Sequence, residues 1–323
     1  MNSERLEGYE LLVISTRTGG TEVFRVNPGT GDARNLSRHP GSNERYAAWS
    51  PDGSLISFTS DRDGAYNLYV MDSDGGNVRQ LTREPPPMIA GMQSWTSDGR
   101  WIYFGLFGKA EPLMCRIATA GGGFEVVGMG IDPAVSPDGR TLAFARALGG
   151  GHCLFRMDAD GGNLRQLSTR ENRFAGVHCT WMPDGGGILY SDQCGESLEL
   201  FRCDPQGGNV TQLTDFGNGT ASRSAEVSAD MRWISLRVSA EIFWRDAAAS
   251  ERAYREKRAD LRPVWVMGID GENPRLVEGY ITRSASTAAA PAGDRKVRRR
   301  EPCGILRARR WPWRRWSGAF TWW

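Results

Sequence analysis

Between residues 46 and 82 the chain alternates short apolar runs with polar turn clusters. The four runs cover residues 46–50, 55–60, 67–71 and 78–82, and the segments between them are rich in Pro, Asp and Gly. Runs of this length with such boundaries indicate strands joined by tight turns, because Pro and Gly supply backbone angles that turns require. The stretch is therefore predicted to form a four-stranded antiparallel sheet.

The same pattern recurs along the chain. Trp-Ser-Pro-Asp-Gly at 49–53 returns with substitutions at 95–99, 135–139, 181–185 and 227–231, at steps of 46, 40, 46 and 46 residues. A second element, an apolar run, a glycine-rich turn and a run that usually ends near Leu-Thr, occurs six times, at 24–37, 68–82, 113–127, 154–168, 200–214 and 264–277. A four-strand unit with this period is typical of β-propellers. We predict an all-β fold, a six-bladed β-propeller of four-stranded antiparallel blades, over residues 1–286.

Two segments depart from the repeat. The first blade contains only its second, third and fourth strands, and residues 279–286 are predicted to supply its innermost strand, which would remove the open edge. An insert at 240–262 is rich in Ala, Glu, Arg and Lys over 247–261, so it predicts a short helix. That helix would cap part of the face that carries the loops between blades.

Residues 287–323 lose the strand pattern and are rich in Arg and Trp. The net charge is +8 from residue 294 onward and −6 over residues 1–293. Two interpretations stay open for this tail: a basic, aromatic segment that contacts a membrane or nucleic acid, or an end that is disordered or frameshifted. The mildly acidic body argues against general nucleic-acid binding.

The cysteines, the hydropathy and the N-terminus restrict the class of protein further. The six cysteines form no CxxC pair; Cys153 and Cys203 are expected to pack as small apolar residues, and a disulfide stays open. No run of 18 apolar residues is present, so no transmembrane segment is expected. The first sixteen residues lack the basic start and apolar core of a signal peptide, which indicates the cytoplasm for the sequence as written.

Alignment of the repeats on Trp49 identifies the residues that are expected to line the predicted channel, because innermost strands line the axis of a propeller. Four positions earlier the residues are Arg45, Gly91, Ile131, Val177, Arg223 and, by extrapolation, Arg283. Three positions earlier they are Tyr46, Met92, Asp132, His178, Ser224 and Ser284. We select as candidate binding residues at the channel mouth Arg45, Tyr46, Asp132, His178, Arg223 and Arg283.

Three arginines with a histidine suit a carboxylate or phosphate ligand, or an acidic segment of a partner protein. In a purely structural alternative, each arginine pairs with an Asp or Glu of a neighbouring blade. A third possibility is that His178 acts as a general base beside Arg223.

Other conspicuous groups are interpreted as structural. The aspartates of the repeated turn are expected to cap that turn on the opposite face: Asp52, Asp98, Asp138 and Asp184. Trp49, Trp95 and Trp181 recur at one register, so they are expected to pack between blades. No catalytic residue, metal ligand or cofactor site is predicted.

The repeat resembles that of a known family. Trp-Ser-Pro-Asp-Gly at 49–53, Ser-Asp-Arg-Asp-Gly at 60–64 and the run at 67–82 closely resemble the repeats of TolB-type β-propellers, and the likeness extends over about residues 9–286. TolB is a periplasmic protein-binding component of the bacterial Tol–Pal envelope system. The resemblance implies a non-catalytic scaffold in the periplasm, monomeric, that binds a protein or peptide at its loop-rich face.

Similar propellers also occur in enzymes. The oligogalacturonate lyase group uses one with metal-binding histidines, which leaves an enzyme acting on an acidic saccharide as the alternative function. The three histidines of this chain, His39, His152 and His178, are too few for that histidine-rich site. Prolyl-oligopeptidase-like peptidases carry a related propeller beside a hydrolase domain, whose GxSxG element is not found here.

Overall fold

The structure is a computed structural model. It describes residues 6, 8–16, 18–108, 111–148, 151–168, 178–195, 197–217, 220–240 and 264–277. The predicted closing strand at 279–286, the helix at 247–261, Arg283 and the tail at 287–323 lie outside the described residues.

The described residues form β-strands joined by turns and loops. In chain order the strands are β1 (Leu11–Ser15), β2 (Glu22–Val26), β3 (Ala33–Asn35), β4 (Glu44–Trp49), β5 (Leu55–Ser60), β6 (Asn67–Asp72), β7 (Arg79–Gln80), β8 (Ile89–Trp95), β9 (Trp101–Phe107), β10 (Leu113–Ala118), β11 (Phe124–Met129), β12 (Ile131–Val135), β13 (Thr141–Leu148), β14 (Gly151–Asp158), β15 (Arg165–Gln166), β16 (Cys179–Trp181), β17 (Ile188–Cys194), β18 (Ser197–Cys203), β19 (Thr211–Gln212), β20 (Thr220–Val227), β21 (Trp233–Ala240), β22 (Val264–Gly268) and β23 (Arg275–Leu276).

These strands pair as antiparallel meanders, which we call blades 1 to 6 in chain order. Blade 1 is β1–β3, and blades 2 to 6 are β4–β7, β8–β11, β12–β15, β16–β19 and β20–β23. A single parallel pair, Leu198 with Ala221, joins blade 5 to blade 6. The prediction that blade 1 lacks an innermost strand agrees with its three described strands. The all-β propeller architecture is confirmed, and the sheets are consistent with six blades.

The repeated Ser-Pro-Asp-Gly turn is held by its own side chains. Ser50 Oγ donates to Asp52 Oδ1 at 2.6 Å and accepts from the Leu55 backbone N–H at 2.9 Å. Gly53 has a φ of 70°, in the left-handed region that glycine adopts without strain. The hydroxyl and backbone N–H donors lower the pKa of Asp52 to about 2. The turn-capping role predicted for this aspartate is confirmed.

A second local contact explains why most repeats end in Leu-Thr or Leu-Ser. In four blades the hydroxyl after the fourth strand accepts a hydrogen bond from a backbone N–H of the third strand. The donor and acceptor residues are Val23 and Ser37, Leu68 and Thr82, Leu154 and Ser168, and Leu200 and Thr214. The bond closes each sheet over 14 residues and satisfies a buried backbone donor.

The hydrophobic core lies between blades rather than inside one sheet. One buried cluster occupies each interface between successive blades, and a further cluster joins blade 6 to blade 1 through Val13, Phe24, Trp233 and Val266. Tyr9 also donates to Asp230 of blade 6 at 2.5 Å. The ring is therefore closed by side-chain packing between the first and last described sheets.

The recurring tryptophans belong to these interfaces. The Trp95 indole N–H donates to Ser57 Oγ of blade 2 at 2.9 Å, and that of Trp181 donates to the Ala134 carbonyl of blade 4 at 3.0 Å. Trp49 packs against the cluster between blades 1 and 2. The predicted packing role of the three tryptophans is confirmed.

Candidate functional site

The first strand of blades 2 to 6 lines the centre of the ring, in the order β4, β8, β12, β16 and β20, with each strand beside the next. These strands begin at one end of the channel, which we call the mouth, and end at the Ser-Pro-Asp-Gly turns. The candidate residues lie at the mouth because they occupy the first positions of the strands. The aspartates of the turns lie at the opposite end.

A β-bulge recurs where four of these strands begin. The pairing register of β4 with β5 shifts between Arg45 and Ala48, and β8, β12 and β20 show the same shift. One residue in each bulge has a left-handed backbone, namely Tyr46 (φ 52°), Met92 (55°), Asp132 (57°) and Ser224 (50°). None is glycine, so each costs about 1–2 kcal/mol of strain. Bulges of this kind redirect side chains and are frequent beside functional sites.

Tyr46 lies across the start of the next blade. A Cβ atom on Gly91 would come within 2.7 Å of Tyr46 Cδ2, so the ring fits only because residue 91 has no side chain. Arg45 donates from Nη2 to the Tyr66 hydroxyl at 2.9 Å, and its guanidinium carbon lies 4.2 Å from the Tyr66 ring centre. Blade 2 therefore presents an aromatic and cationic surface at the mouth.

Asp132 and His178 form a pair across the interface of blades 4 and 5. His178 Nδ1 lies 2.7 Å from Asp132 Oδ2, and both side chains are largely buried. A carboxylate at this distance fixes the orientation of the imidazole ring. The proximity expected of these two residues is therefore present.

Glu226, on β20, extends this cluster to blade 6. It accepts a hydrogen bond from Thr180 Oγ1 of blade 5 at 3.5 Å. Burial by the surrounding protein, followed by the negative charge of Asp132, raises the pKa of Glu226 to about 7, and the bond from Thr180 opposes this shift. Its side chain still reaches solvent inside the channel, so the cause is the protein that surrounds it on the channel wall rather than complete burial of its surface.

Cys179 lies between these groups, and its thiol lies 3.5 Å from the Asp132 carbonyl. Burial, and then the charge of Asp132, raises the pKa of this thiol well above its usual range. The thiol therefore stays protonated near neutral pH, whereas a cysteine nucleophile must be a thiolate.

Arg223 occupies the mouth on blade 6, directly opposite Arg237 of the neighbouring strand. Arg237 Nη2 donates to Ser224 Oγ at 2.8 Å. Two like charges directly opposite each other in a sheet repel, so an anionic group nearby would stabilise them.

The channel also contains residues that the sequence reasoning missed. When the repeats are aligned on Trp49, the position directly before the tryptophan is Ala48, Ser94, Ala134, Thr180 and Glu226. Glu226 is the one charged residue among these, so the alignment would have identified it. Gln93, within the bulge of β8, has both amide atoms buried without a hydrogen-bond partner. Gln93 is likewise the one amide side chain two positions before the Trp position, where the other repeats have Ala47, Pro133, Cys179 and Ala225, so the same comparison would have identified it.

In the described part of the chain, no group of three or more His, Cys, Asp or Glu side chains is arranged to hold a metal ion. No helix there is long and apolar enough to cross a membrane.

Comparison with known proteins places this geometry in a family. Residues 65–242 match the model of the TolB beta propeller domain. Over 81 residues the chain is 38% identical to the Tol-Pal system protein TolB of Anaeromyxobacter dehalogenans strain 2CP-1; the match covers 25% of this chain and 18% of that protein. The chain thus matches about a fifth of the length of this curated relative.

Solved structures agree on the fold. The crystal structure of TolB from Acinetobacter baumannii superposes with a TM-score of 0.54 at 18% identity, covering 83% of this chain and 67% of that one. An oligogalacturonate lyase in complex with manganese superposes with a TM-score of 0.51 at 14% identity, covering 84% of this chain and 73% of that one. At such low identity the likeness concerns architecture alone.

Proposed function

Because the chain belongs to the TolB β-propeller domain family, we propose that it is a non-catalytic scaffold that binds a protein or peptide segment at the channel mouth. The binding surface consists of Arg45, Tyr46, Asp132, His178 and Arg223, and of Arg283 from outside the described residues. The Tol–Pal name of its relatives supports a protein partner and, with it, a periplasmic location.

The recurring bulge is the observation that carries this proposal. Four inner strands adopt the same strained backbone at the mouth but present different side chains, an aromatic ring, a thioether, a carboxylate and a hydroxyl. Strain of this kind persists when the surrounding structure holds it, and it is concentrated at functional sites. A rigid frame that displays varied side chains suits recognition of an irregular partner surface.

The arginines on blades 2 and 6 favour an acidic segment of the partner on that side of the mouth. Arg223 faces Arg237 across one strand pair, and Arg45 is held rigid by Tyr66. Guanidinium groups form bidentate bonds with carboxylates, and a fixed guanidinium loses less conformational entropy on binding.

Capture from native extract with matched variants tests the proposal. Arg45→Gln with Arg223→Gln changes the mouth, whereas Arg100→Gln with Arg140→Gln removes two arginines from the opposite face. We expect one protein partner to be retained by the wild type and by the opposite-face variant, and lost by the mouth variant. A partner that the mouth variant retains would contradict the assignment, provided that thermal unfolding shows both variants to be folded.

The Asp132–His178 pair favours one alternative, an enzyme that acts on an acidic saccharide. An imidazole oriented by a carboxylate is a competent general base. Incubation with oligogalacturonate in the presence of manganese tests this possibility. Turnover by the wild type that disappears in His178→Ala, but not in His152→Ala, would replace the scaffold assignment with the enzymatic one.

A further inference from the structure

The turns at the end of the channel opposite the mouth form a common surface. In blades 2 to 6, one turn lies there between the first and second strands and another lies between the third and fourth. In four of these blades a backbone N–H of the second turn donates to a carbonyl of the first, from Ser73 to Ser54, Thr119 to Arg100, Ala159 to Arg140 and Ile269 to Arg232. We call the surface formed by these turns the turn face.

The turn face carries an excess of negative charge. Each first turn contains one aspartate, and the second turns add seven carboxylates, within residues 72–77, 158–163, 204–209 and 268–273. The same turns contain three arginines, namely Arg100, Arg140 and Arg232. Three further arginines reach the turns of the next blade and donate to backbone carbonyls there, namely Arg34, Arg79 and Arg156. Carboxylates remain in excess, and a surface of this kind attracts a cationic segment.

An open depression of about 520 Å³ lies in the turn face at blade 4. Three of the residues that line it are acidic, Asp138, Asp158 and Asp160, and one is basic, Arg140. The Ser136 hydroxyl, and then the Arg140 backbone N–H, lower the pKa of Asp138, so this carboxylate stays ionised near neutral pH. The volume is in the range of ligand sites, and an excess of carboxylates suits guanidinium groups.

The chain itself contains a segment of the opposite charge. The basic tail, from residue 294 onward, has ten Lys or Arg side chains and a net charge of +8, and it lies outside the described residues. It follows the predicted closing strand at 279–286. The inner strands of blades 2 to 6 all run from the mouth to the turn face, so a closing strand of the same direction would deliver residue 287 to the turn face.

We propose that the basic tail binds to the turn face of its own chain, with arginines of the tail in the depression on blade 4. Arg298, Arg299 and Arg300 follow residue 286 by 12 to 14 positions. An extended chain of that length spans about 40 Å, whereas a four-stranded blade is about 15 Å wide. A tethered segment also competes well with nucleic acid or a membrane for the tail, because its effective concentration is on the order of millimolar. The inference does not depend on the proposed function, because the turn face lies opposite the mouth.

Carbodiimide cross-linking of the full chain tests where the tail lies. Lys296 is the one lysine of the tail, so an amide between Lys296 and a carboxylate identifies the surface that the tail contacts. We expect monomeric products in which Lys296 is joined to aspartates of the turn face, and a loss of these products in 1 M NaCl, where the screening length falls to about 3 Å. Cross-links to Glu84 or Glu111 of the mouth loops, products joined between two chains, or no cross-link would overturn the proposal.

Limited cleavage by trypsin tests the depression on blade 4 separately. In Asp138→Asn with Asp160→Asn the turns keep their hydrogen-bond acceptors but lose two charges, so cleavage within residues 295–300 should be about two- to tenfold faster than in the wild type. Glu84→Gln with Glu111→Gln removes two charges from the mouth loops and should leave the rate unchanged. Thermal unfolding of both variants verifies that they are folded. Equal cleavage rates in the two variants would contradict binding at blade 4.

Discussion

Blades 2 and 3 have equivalent inner strands, each with a tryptophan at the same register, yet their outer strands differ. Blade 2 ends in the two-residue strand β7 after a turn that contains Gly75, and blade 3 ends in the six-residue strand β11 after a turn that contains Gly121. Both glycines have a positive φ, 91° and 100°. Their surroundings, however, are opposite.

Gly75 packs closely against blade 1, whereas the space beside Gly121 is open. A Cβ on Gly75 would lie 2.3 Å from the Leu36 carbonyl oxygen, and one on Gly121 would meet nothing within 4 Å. Three other turn glycines approach the preceding blade in the same way, namely Gly161, Gly207 and Gly271. The glycine turn thus sets the spacing between these blades, and blade 3, where the glycine lacks this contact, has the longest outer strand of the described blades.

The largest expected effect is a difference in stability between alanine substitutions at these two glycines. Gly75→Ala should lower the free energy of unfolding by about 2–5 kcal/mol, the sum of left-handed strain and overpacking against the Leu36 carbonyl. Gly121→Ala should cost only the strain, about 1–2 kcal/mol. Urea denaturation of both variants measures the difference. Equal losses would show that the contact between blades contributes nothing.

The next effect concerns the hydroxyl that closes blade 2. Thr82 accepts from the Leu68 backbone N–H at 2.9 Å, whereas the equivalent residue of blade 3 is Val127. Thr82→Val leaves a buried donor without its acceptor, so it should cost about 1–3 kcal/mol. Thr211→Val, at an exposed position of β19, is the control. A loss confined to Thr211→Val would refute the closing role of Thr82.

A gain in stability is expected from replacing Gln93 in the bulge of blade 3. Gln93 has both amide atoms buried without a partner, whereas blade 2 has Ala47 at the same position. Gln93→Leu keeps the volume and removes the unsatisfied amide, so it should raise the free energy of unfolding by about 1 kcal/mol. Destabilisation by this change would mean that the amide forms a bond that matters to the fold.

The smallest effect is a pH dependence in the channel. The pKa of Glu226 is raised in the folded state from 4.5 to about 7. Since the folded state then binds more protons than the unfolded state, this contribution to stability is present below pH 4.5 and is lost as pH rises through 7. Thermal unfolding from pH 4 to pH 8 should show a steeper loss in the wild type than in Glu226→Gln. Parallel curves would contradict the raised pKa.

Local residue patterns were sufficient to predict the strands, the turns and the ring. The hydroxyl and carboxylate of Ser50 and Asp52 act within one turn, and Trp95 packs at the interface that its register indicated. The candidate site was less accessible to such reasoning. Alignment brought Asp132 and His178 to one mouth, but it did not show that Arg45 binds Tyr66, or that Glu226 belongs to the same cluster.

The sequence by itself determined the repeating unit, because turn formation and strand alternation depend on residues that are close together in the sequence. Both can therefore be recognised from the sequence alone. Only the tertiary structure decided what lies between units. Tyr46 over Gly91, Asp132 beside His178 and Gly75 against Leu36 join residues about 40 positions apart. Such contacts depend on the angle and distance between neighbouring sheets, which the packing of the six inter-blade clusters sets and which no single repeat contains.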